Sequence, residues 1–249
     1  MVVFDIVGAQ AMFRRFYTNS SSLTYAFPPR PTLVGLIAGM MGIERGTYAR
    51  LLDPEHLMIG VSLRSRIRTL IQTVNYVRTK AAGEFDGSAG GTQTPIEWVL
   101  PDGGERMIRY RVYVSHIDPE WLRTFDHMLS HQAWVYPPYL GMSECVAVAI
   151  RVAWIDSYKE IPAGSLVVCR TAVPAEALEE LVQLSDGLEL SRDRVPRHLD
   201  DDRRLMETGE VLIDRQGRPI VARFNRPAFV VKYLDPVSGE VLEEGGMFL

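Results

Sequence analysis

The sequence predicts an α+β fold, with a β-α-β-β-α-β domain over residues 1–155 followed by a smaller β-rich region over residues 156–249. Three observations predict it. A β-branched strand opens the chain, helix patterns begin near Pro31 and Pro119, and alternating apolar residues fill the stretches between them. Elements in this order form the ferredoxin-like, or split-βαβ, motif. The open face of such a sheet binds RNA in many recognition domains.

The first strand, loop and helix are predicted from composition and from start signals. Val2–Val7 is rich in β-branched and aromatic residues and ends at Gly8, which is typical of a strand. Residues 14–31 form a long polar connection of the kind that often carries function. A helix then begins at Pro31 and stops at Gly42, because apolar residues recur at helical spacing between them.

A long strand with period-two alternation is predicted over residues 59–78. Its parity would put Arg64, Arg66 and Arg68 in a row on one face. The Gly- and Ala-rich residues 81–91 are typical of the tip of a protruding hairpin.

The chain returns through residues 96–100, turns at residues 101–104 and re-enters the sheet at residues 107–114. A second helix begins at Asp118-Pro119, where Asp118 is placed to cap it. Residues 145–155 are apolar nearly throughout and predict a buried strand.

The C-terminal region gives weaker signals. We expect strands at residues 166–169 and 229–234, and a hairpin that pairs residues 211–214 with residues 220–224. The remaining expectations are a short acidic helix over residues 174–184 and a loop over residues 191–202.

The charge of the chain is unevenly distributed. Residues 1–80 contain ten Lys and Arg against four Asp and Glu, a balance of +6, and the other residues carry −10, which gives the net charge of −4. A basic segment on an acidic chain indicates a local polyanion site, although charges can also cluster by chance. No apolar run is long enough to span a bilayer, and the start Met1–Asp5 does not resemble a signal peptide, so we expect a cytoplasmic protein.

The basic segment carries two candidate sites for a single-stranded nucleic acid. Arg14 and Arg15 alternate with aromatic residues, so that cations could neutralise phosphates while rings stack bases. Arg30 and Thr32 lie at a helix N-terminus, which attracts anions. The alternatives are that the aromatic rings belong to the core and that the helix start is simply capped.

Enzymatic motifs are absent from the sequence. It contains no HExxH, GxSxG, Walker A or GxGxxG pattern, and its five His residues are scattered without metal-ligand spacing. We therefore expect no catalytic residues, no metal and no cofactor.

Three blocks of the sequence resemble the Cas-five family of CRISPR-associated RAMP proteins. The first runs from Phe4 to Arg45 (FDIVGAQAMFRRFYTNSSSLTYAFPPRPTLVGLIAGMMGIER), the second from Gln72 to Lys80 (QTVNYVRTK) and the third from Pro137 to Cys145 (PPYLGMSEC). They follow one another in the family's order. The form without nuclease activity, found in type I-B effectors, is the most similar.

The resemblance implies a subunit of a type I Cascade surveillance complex, in antiviral defence, that caps the 5′ handle of CRISPR RNA. A long hairpin called the thumb, over about residues 64–111, would pack on the adjacent backbone subunit of the Cas-seven type. A large subunit that reads the protospacer-adjacent motif would dock nearby, and target DNA would be contacted indirectly. No membrane is expected as a partner.

The resemblance and the charge pattern together nominate a set of RNA-binding residues. They are Arg14, Arg15, Tyr17 and Asn19 in the first loop, Arg30 and Thr32 at the helix start, Gln72, Asn75, Arg78 and Lys80 on the thumb, and Arg64, Arg66, Arg109 and Arg111 on the arginine-lined ribbon.

Two alternatives to a non-catalytic binder remain. The type I-C branch of the family is a metal-independent endoribonuclease that uses a Tyr, a Lys and a His, the last two adjacent in sequence, and this chain contains no Lys-His pair. The run VGAQAMFR also resembles the anion-binding loop of acylphosphatases, although the second Gly of that loop is missing and those proteins are about half as long.

Overall fold

The computed structural model describes residues 1–19, 21–49, 51–79, 81–183 and 188–249. Its strands and helices follow in this order: β1 (Val2–Gly8), β2 (Phe13–Arg14), β3 (Thr24–Tyr25), α1 (Arg30–Met41), β4 (Leu57–Leu63), β5 (Ile67–Val77), β6 (Gly91–Pro101), β7 (Ile108–His116), α2 (Pro119–His131), β8 (Ala147–Trp154), β9 (Lys159–Ile161), β10 (Leu166–Cys169), β11 (Val173–Pro174), β12 (Leu178–Gln183), β13 (Leu190–Leu199), β14 (Leu205–Asp214), β15 (Ile220–Phe224), β16 (Ala228–Leu234) and β17 (Val241–Gly246). Short 3-10 helices cover Ala82–Glu84 and Ala175–Ala177.

Four strands form a sheet in the order β4-β7-β1-β8, and each strand is antiparallel to its neighbours. These strands and the two helices follow one another as β-α-β-β-α-β, the order that the sequence predicts. Both helices pack on one face of the sheet, where the rings of Phe4 and Phe125 meet edge to face with centroids 5.4 Å apart. The helix face of the sheet therefore carries the main apolar core of the molecule.

The helix boundaries follow the predicted signals. Helix α1 begins after Pro29 and stops at Gly42, whose φ of 70° is in the left-handed region that favours Gly. Asp118 caps α2, because its side chain accepts a hydrogen bond from the Glu120 backbone N–H at 2.9 Å. Among the described residues, no helix has the length and apolar character to cross a membrane.

The C-terminal region covers the face of the sheet opposite the helices. Phe229, Val231 and Tyr233 of β16 pack with Val3 and Tyr113 of the four-stranded sheet in a second apolar cluster. The predicted open face is therefore not free for RNA over this area. The covering strand β16 belongs to a six-stranded sheet with the order β12-β15-β10-β17-β16-β9. The C-terminal region also forms a three-stranded sheet with the order β11-β14-β13.

Backbone hydrogen bonds also join the C-terminal region to the edge strand β4. The backbone N–H of Ala172 donates to the carbonyl of Val61 at 2.7 Å, and that of Leu249 donates to the carbonyl of Ile59 at 2.9 Å. The division into residues 1–155 and 156–249 remains a prediction, but the two stretches share hydrogen bonds and core.

A hairpin of β5 and β6 projects from this body, in continuous antiparallel register from Ile67 opposite Pro101 to Val77 opposite Gly91. Its base is buried and its outer half is exposed. The base is attached to the C-terminal region, since the N–H of Ile67 donates to the carbonyl of Arg215 at 3.3 Å.

The predicted single strand over residues 59–78 is wrong in one respect. It is divided into β4, which ends at Leu63 in the body, and β5, which begins at Ile67 in the hairpin. Buried and more exposed residues still alternate from Leu63 to Arg68, but Arg64 is largely buried and pairs with Glu244, while Arg66 and Arg68 are exposed to solvent. The three cations therefore do not form one exposed row.

Three expectations for the C-terminal region are also wrong. The predicted helix over residues 174–184 is instead mostly the short helix Ala175–Ala177 and strand β12, which pairs with β15, and residue 184 lies outside the described residues. The predicted loop over residues 191–202 is largely strand β13. Strands β14 and β15 belong to different sheets, so they do not form the predicted hairpin.

Candidate nucleic-acid interface

An open groove of about 660 Å³ lies between the loop after β1, the start of α1 and the β5–β6 hairpin. Its lining combines cationic, hydroxyl, amide and apolar groups. The residues are Met12, Phe13, Arg14, Asn19, Ser22, Thr32, Tyr76, Thr94, Ile96, Gly141 and Met142.

The loop after β1 is shaped by a short pairing of β2 with β3. Phe13 lies opposite Tyr25, and the N–H of Phe13 donates to Thr24 Oγ1 at 2.9 Å. Successive residues of a strand point to opposite sides, so the Phe13 ring is buried against Tyr110 while Arg14 is exposed at the groove. The alternative that the aromatic rings belong to the core therefore holds for Phe13.

The hairpin wall of the groove is bonded directly to this loop. The N–H of Thr24 donates to Glu97 Oε2 at 3.0 Å, and the N–H of Glu97 donates to the carbonyl of Ser22 at 2.9 Å. A further isolated bridge joins Ala11 to Val99. These bonds connect the hairpin base to the loop, so two walls of the groove are held together.

Gly141 allows the third sequence block to approach the groove closely. Its φ is 89°, and a Cβ at this position would lie 2.0 Å from the carbonyl oxygen of Met12. The N–H of Met12 in turn donates to the carbonyl of Leu140 at 3.0 Å. A residue with a side chain would force these two backbone segments apart.

The groove brings together three of the nominated residues, Arg14, Asn19 and Thr32. Arg14 is exposed, and its Nη2 makes a long hydrogen bond of 3.3 Å to the carbonyl of Thr18. No carboxylate among the described residues forms an ion pair with it. Its charge is therefore available to a phosphate.

Arg15 is directed elsewhere. It forms an ion pair with Asp193 at 2.9 Å, and its Nε donates to the carbonyl of Thr24 at 2.9 Å. Its Nη1 also donates to the hydroxyl of Tyr17 at 3.0 Å. Arg15 and Tyr17 therefore lie on the side of the loop that meets the C-terminal region, outside the lining of the groove.

The assignment of Arg30 to a surface RNA site is wrong. This residue is 2 % exposed, and its Nη2 donates to the carbonyls of Leu52 and Leu57 at 3.0 and 2.8 Å. An RNA at the surface would not reach the guanidinium. The neighbouring Thr32 is partly exposed and does line the groove.

The assignment of Arg111 to RNA binding is also wrong, because this residue lies between the two sheets in a network of buried charges. Its Nε and Nη2 donate to the Asp5 carboxylate at 2.7 and 3.0 Å, and its Nη2 also donates to Asp235 at 2.7 Å. Its Nη1 donates to the hydroxyl of Tyr233 at 2.9 Å. All of its charge is used inside the protein.

Arg64 and Arg109 lie at the margin of the same network. Arg64 pairs with Glu244 at 2.5 Å, and Arg109 pairs with Asp5 at 2.9 Å. Burial favours the protonated form of Glu244, but the charge of Arg64 and the hydroxyls of Tyr233 and Tyr113 outweigh it and hold the pKa of this carboxyl below its ordinary value. Arg64 and Arg109 line a separate depression, away from the groove.

The nominated hairpin residues are exposed but divided between two faces. Gln72 has the same strand parity as Tyr76, which lines the groove, whereas Asn75 has the opposite parity. Arg78 pairs with Glu84 at 3.4 Å, and Arg66 pairs with Asp102 at 3.7 Å. Lys80 lies outside the described residues.

Sequence reasoning missed Ser22, Tyr76, Thr94 and Met142 as lining residues. Gln72 and Tyr76 lie on the same face of an alternating strand, so the pattern that nominated Gln72 could also have nominated Tyr76. Met142 follows Gly141 in the third block. It reaches the groove because the backbone of Leu140 pairs with that of Met12, which is distant in sequence. Within the described residues, no group of three or more His, Cys, Asp or Glu side chains is arranged to hold a metal.

Comparison with solved structures gives matches over most of the chain. A chain of a CRISPR RNA-guided surveillance complex is 17 % identical with a TM-score of 0.54, and the match covers 89 % of this chain and 91 % of that one. A CRISPR protein from Archaeoglobus fulgidus is 14 % identical with a TM-score of 0.54, over 98 % and 99 % of the two chains. This protein shares its fold with CRISPR-associated proteins.

A third match extends the same likeness to another type of complex. A chain of the type III-B Cmr-beta complex, in a structure bound to cognate target RNA, is 8 % identical with a TM-score of 0.50, over 88 % and 86 % of the two chains. At these identities the likeness shows the fold alone. No protein-family model and no curated protein sequence matches the chain.

Proposed function

We propose that this chain is a Cas-five-type subunit of a type I Cascade, of the non-nuclease kind, and that it holds the 5′ handle of CRISPR RNA in the groove. The body would be a ferredoxin-like domain. The observation that carries the proposal is the groove itself, which gathers Arg14, Asn19, Thr32 and Tyr76 from three separate segments. The fold shared with CRISPR-associated proteins supports it.

The groove has the groups that a single-stranded RNA requires. Arg14 supplies a cation that pairs with no carboxylate of the described residues and could bind a phosphate, and Asn19 and Thr32 supply hydrogen-bonding groups. Tyr76 is 46 % exposed, so its ring offers a surface on which a base can stack. Because the groove is open to solvent, a flexible strand can enter it without opening the protein.

The exposed side of the hairpin fits the contact with an adjacent backbone subunit of the Cas-seven type. Leu70, Ile71, Val77 and Phe85 are between 43 % and 65 % exposed. Exposed apolar side chains on a projecting element are typical of a protein interface. The large subunit that reads the protospacer-adjacent motif, the indirect contact with target DNA and the type I-B assignment belong to the same proposal.

RNA binding tests this role. Fluorescence anisotropy with a labelled repeat-derived 5′ handle should show weaker binding for Arg14→Ala, and the slope of log K against log salt should fall by about 0.7 because one phosphate contact is lost. Arg123→Ala is the matched control, since Arg123 is exposed on α2 and pairs with Glu120 away from the groove.

Equal losses in the two variants would overturn the assignment of the groove. The non-catalytic part of the proposal has its own test, in which the purified chain is incubated with repeat RNA in the absence of metal. We expect the RNA to remain intact. A single defined cut would instead support the alternative, a processing endoribonuclease of the type I-C kind.

A further inference from the structure

Two exposed aromatic rings lie in the first loop, beside the groove but outside its lining. Phe16 is 41 % exposed and Tyr17 is 47 % exposed, and their rings meet edge to face with centroids 5.1 Å apart. Arg14 and Asn19, which flank them in sequence, both line the groove. The rings therefore form an exposed apolar surface next to the groove, of the kind that ligands use.

An exposed cation lies over one of these rings. The guanidinium carbon of Arg194, on strand β13, is 6.0 Å from the centroid of the Phe16 ring, a distance at which a cation is attracted to a ring face. Its Nε and Nη2 donate to the hydroxyl of Thr208 at 3.2 and 3.1 Å. Glu210, opposite Arg194 on β14, pairs with Arg192 instead. Arg194 is thus an exposed cation that forms no ion pair with the described residues.

Polar contacts beneath the rings join the first loop to β13. Arg15 pairs with Asp193 at 2.9 Å, and the side chain of Asp193 is only 6 % exposed. The hydroxyl of Tyr25 donates to the carbonyl of Arg194 at 2.8 Å. The fold itself therefore brings Arg194 beside the ring of Phe16, and a surface that is already assembled loses less conformational entropy when it binds a ligand.

We propose that a single-stranded RNA continues from the groove across an aromatic-arginine patch made of Phe16, Tyr17 and Arg194. Bases stack on the two rings, and a phosphate binds the guanidinium of Arg194. The proposal rests on the groove as the handle site and extends that site to the C-terminal region. The Cα atoms of Arg14 and Phe16 are at most about 7 Å apart, so neighbouring nucleotides of one strand can contact both residues.

The charge around the rings favours a polyanion over a protein surface. Arg14 precedes the rings in the loop and Arg194 lies over Phe16, and neither pairs with a carboxylate of the described residues. The acid beneath them, Asp193, is buried in its pair with Arg15. A single strand fits better than a duplex, because only unstacked bases offer their faces to an aromatic ring.

Handle RNAs of increasing length test this path. The probe is the labelled repeat-derived handle in lengths from about 4 to about 16 nucleotides, a range that covers single-strand sites, and fluorescence anisotropy is measured on the full chain. Phe16→Leu keeps an apolar side chain but removes the flat ring. It should weaken binding of the longer RNAs by about 5- to 150-fold and leave the shortest unchanged. Phe16→Tyr, which keeps a ring, should bind like the unchanged protein.

The phosphate contact is tested by Arg194→Gln in the same series. This variant should lower the slope of log K against log salt by about 0.7 for the longer RNAs only, and it decides alone if Phe16→Leu does not fold. Arg123→Gln is the matched control, since Arg123 is an exposed cation on α2 that pairs with Glu120. The control should bind like the unchanged protein at every length.

Arg14→Ala distinguishes failure of the patch from failure of the groove. If it weakens binding while Phe16→Leu and Arg194→Gln have no effect at any length, the groove binds RNA and the patch is rejected. Equal losses of the two patch variants at every length would overturn the continuous path. Losses confined to the longer RNAs, without a loss in Arg14→Ala, would support the patch and overturn the groove. If the unchanged chain binds none of the RNAs, both are overturned.

Discussion

Arg14 and Arg111 lie in similar sequences but in opposite surroundings, since Arg14 is exposed and Arg111 is buried. Each alternates with aromatic residues along a strand, in Phe13-Arg14-Arg15-Phe16 and in Tyr110-Arg111-Val112-Tyr113. Arg14 is exposed on a peripheral two-residue strand, whereas Arg111 is buried on the interior strand β7 beneath the C-terminal sheet. The difference shows that the cover over a strand, rather than the local pattern, decides whether an arginine faces solvent or the protein interior.

The largest expected effect comes from breaking the buried network. Arg111→Leu leaves Asp235 without its cation and Asp5 with Arg109 alone, and loss of one partner of a buried ion pair costs about 3–5 kcal/mol. Urea denaturation at neutral pH would measure this loss. Arg14→Leu is the matched control, and we expect it to change the free energy of unfolding by less than about 0.5 kcal/mol. Similar losses in the two variants would remove the distinction between the two arginines.

A glycine substitution beside the groove tests the surroundings of Arg14. Gly141 and Gly104 both have φ of 89°, but a Cβ at Gly141 would meet the carbonyl of Met12, whereas at Gly104 it would meet nothing within 4 Å. Gly141→Ala should therefore destabilise the protein by about 1–3 kcal/mol more than Gly104→Ala, because it adds a steric clash to the shared backbone strain.

Binding of the handle RNA to the same two glycine variants tests whether this close approach also shapes the groove. Gly141→Ala displaces the loop that carries Arg14, so it should weaken RNA binding, and Gly104→Ala should not. Equal stability and equal binding in the two variants would show that this close approach does not shape the groove.

The last expected effect concerns the pH dependence of the network. The pKa of Glu244 is lower in the folded protein than its ordinary value. Its stabilising contribution is therefore complete above the unfolded pKa of about 4.3 and is lost as the pH falls through the lower folded pKa.

Replacing this carboxylate by an amide tests that contribution. Glu244→Gln keeps an oxygen that can accept from Tyr113 and Tyr233 but removes the anion that pairs with Arg64, so it should cost about 1.5–3 kcal/mol at neutral pH, less than Arg111→Leu. Its stability should also fall less steeply than that of the unchanged protein between about pH 5 and pH 3. Parallel acid titration curves for the two proteins would contradict the role of Glu244.

Much of the first half of the fold is predictable from local signals. The cap at Asp118, the stop at Gly42 and the β-branched strand β1 each depend on neighbouring residues, and each was found at the predicted place. The break between β4 and β5 was missed, because the apolar alternation on both sides of residues 64–66 is compatible with one strand. In the C-terminal region, strand β12 overrides a helix-favouring sequence through its pairing with β15.

The candidate site is predictable only in part. Arg14, Asn19 and Thr32 were found by composition and resemblance, because they lie in one loop and at one helix start. Arg30 and Arg111 were misassigned, since their burial depends on segments more than 20 and more than 120 residues away, around Leu52 and Asp235. A charge pattern does not reveal which cation the fold will enclose.

The network between the two sheets also has a consequence for the order of folding. Asp5, at the start of the chain, meets Arg111 and, through it, Asp235, more than 200 residues later. Contacts of such sequence separation form slowly. During synthesis, at about 5–20 residues per second, the first sheet would wait for several seconds with its charges in water. Those charges can be buried only after β16 and β17 have been synthesised, so the burial of this face of the sheet is a late step in folding.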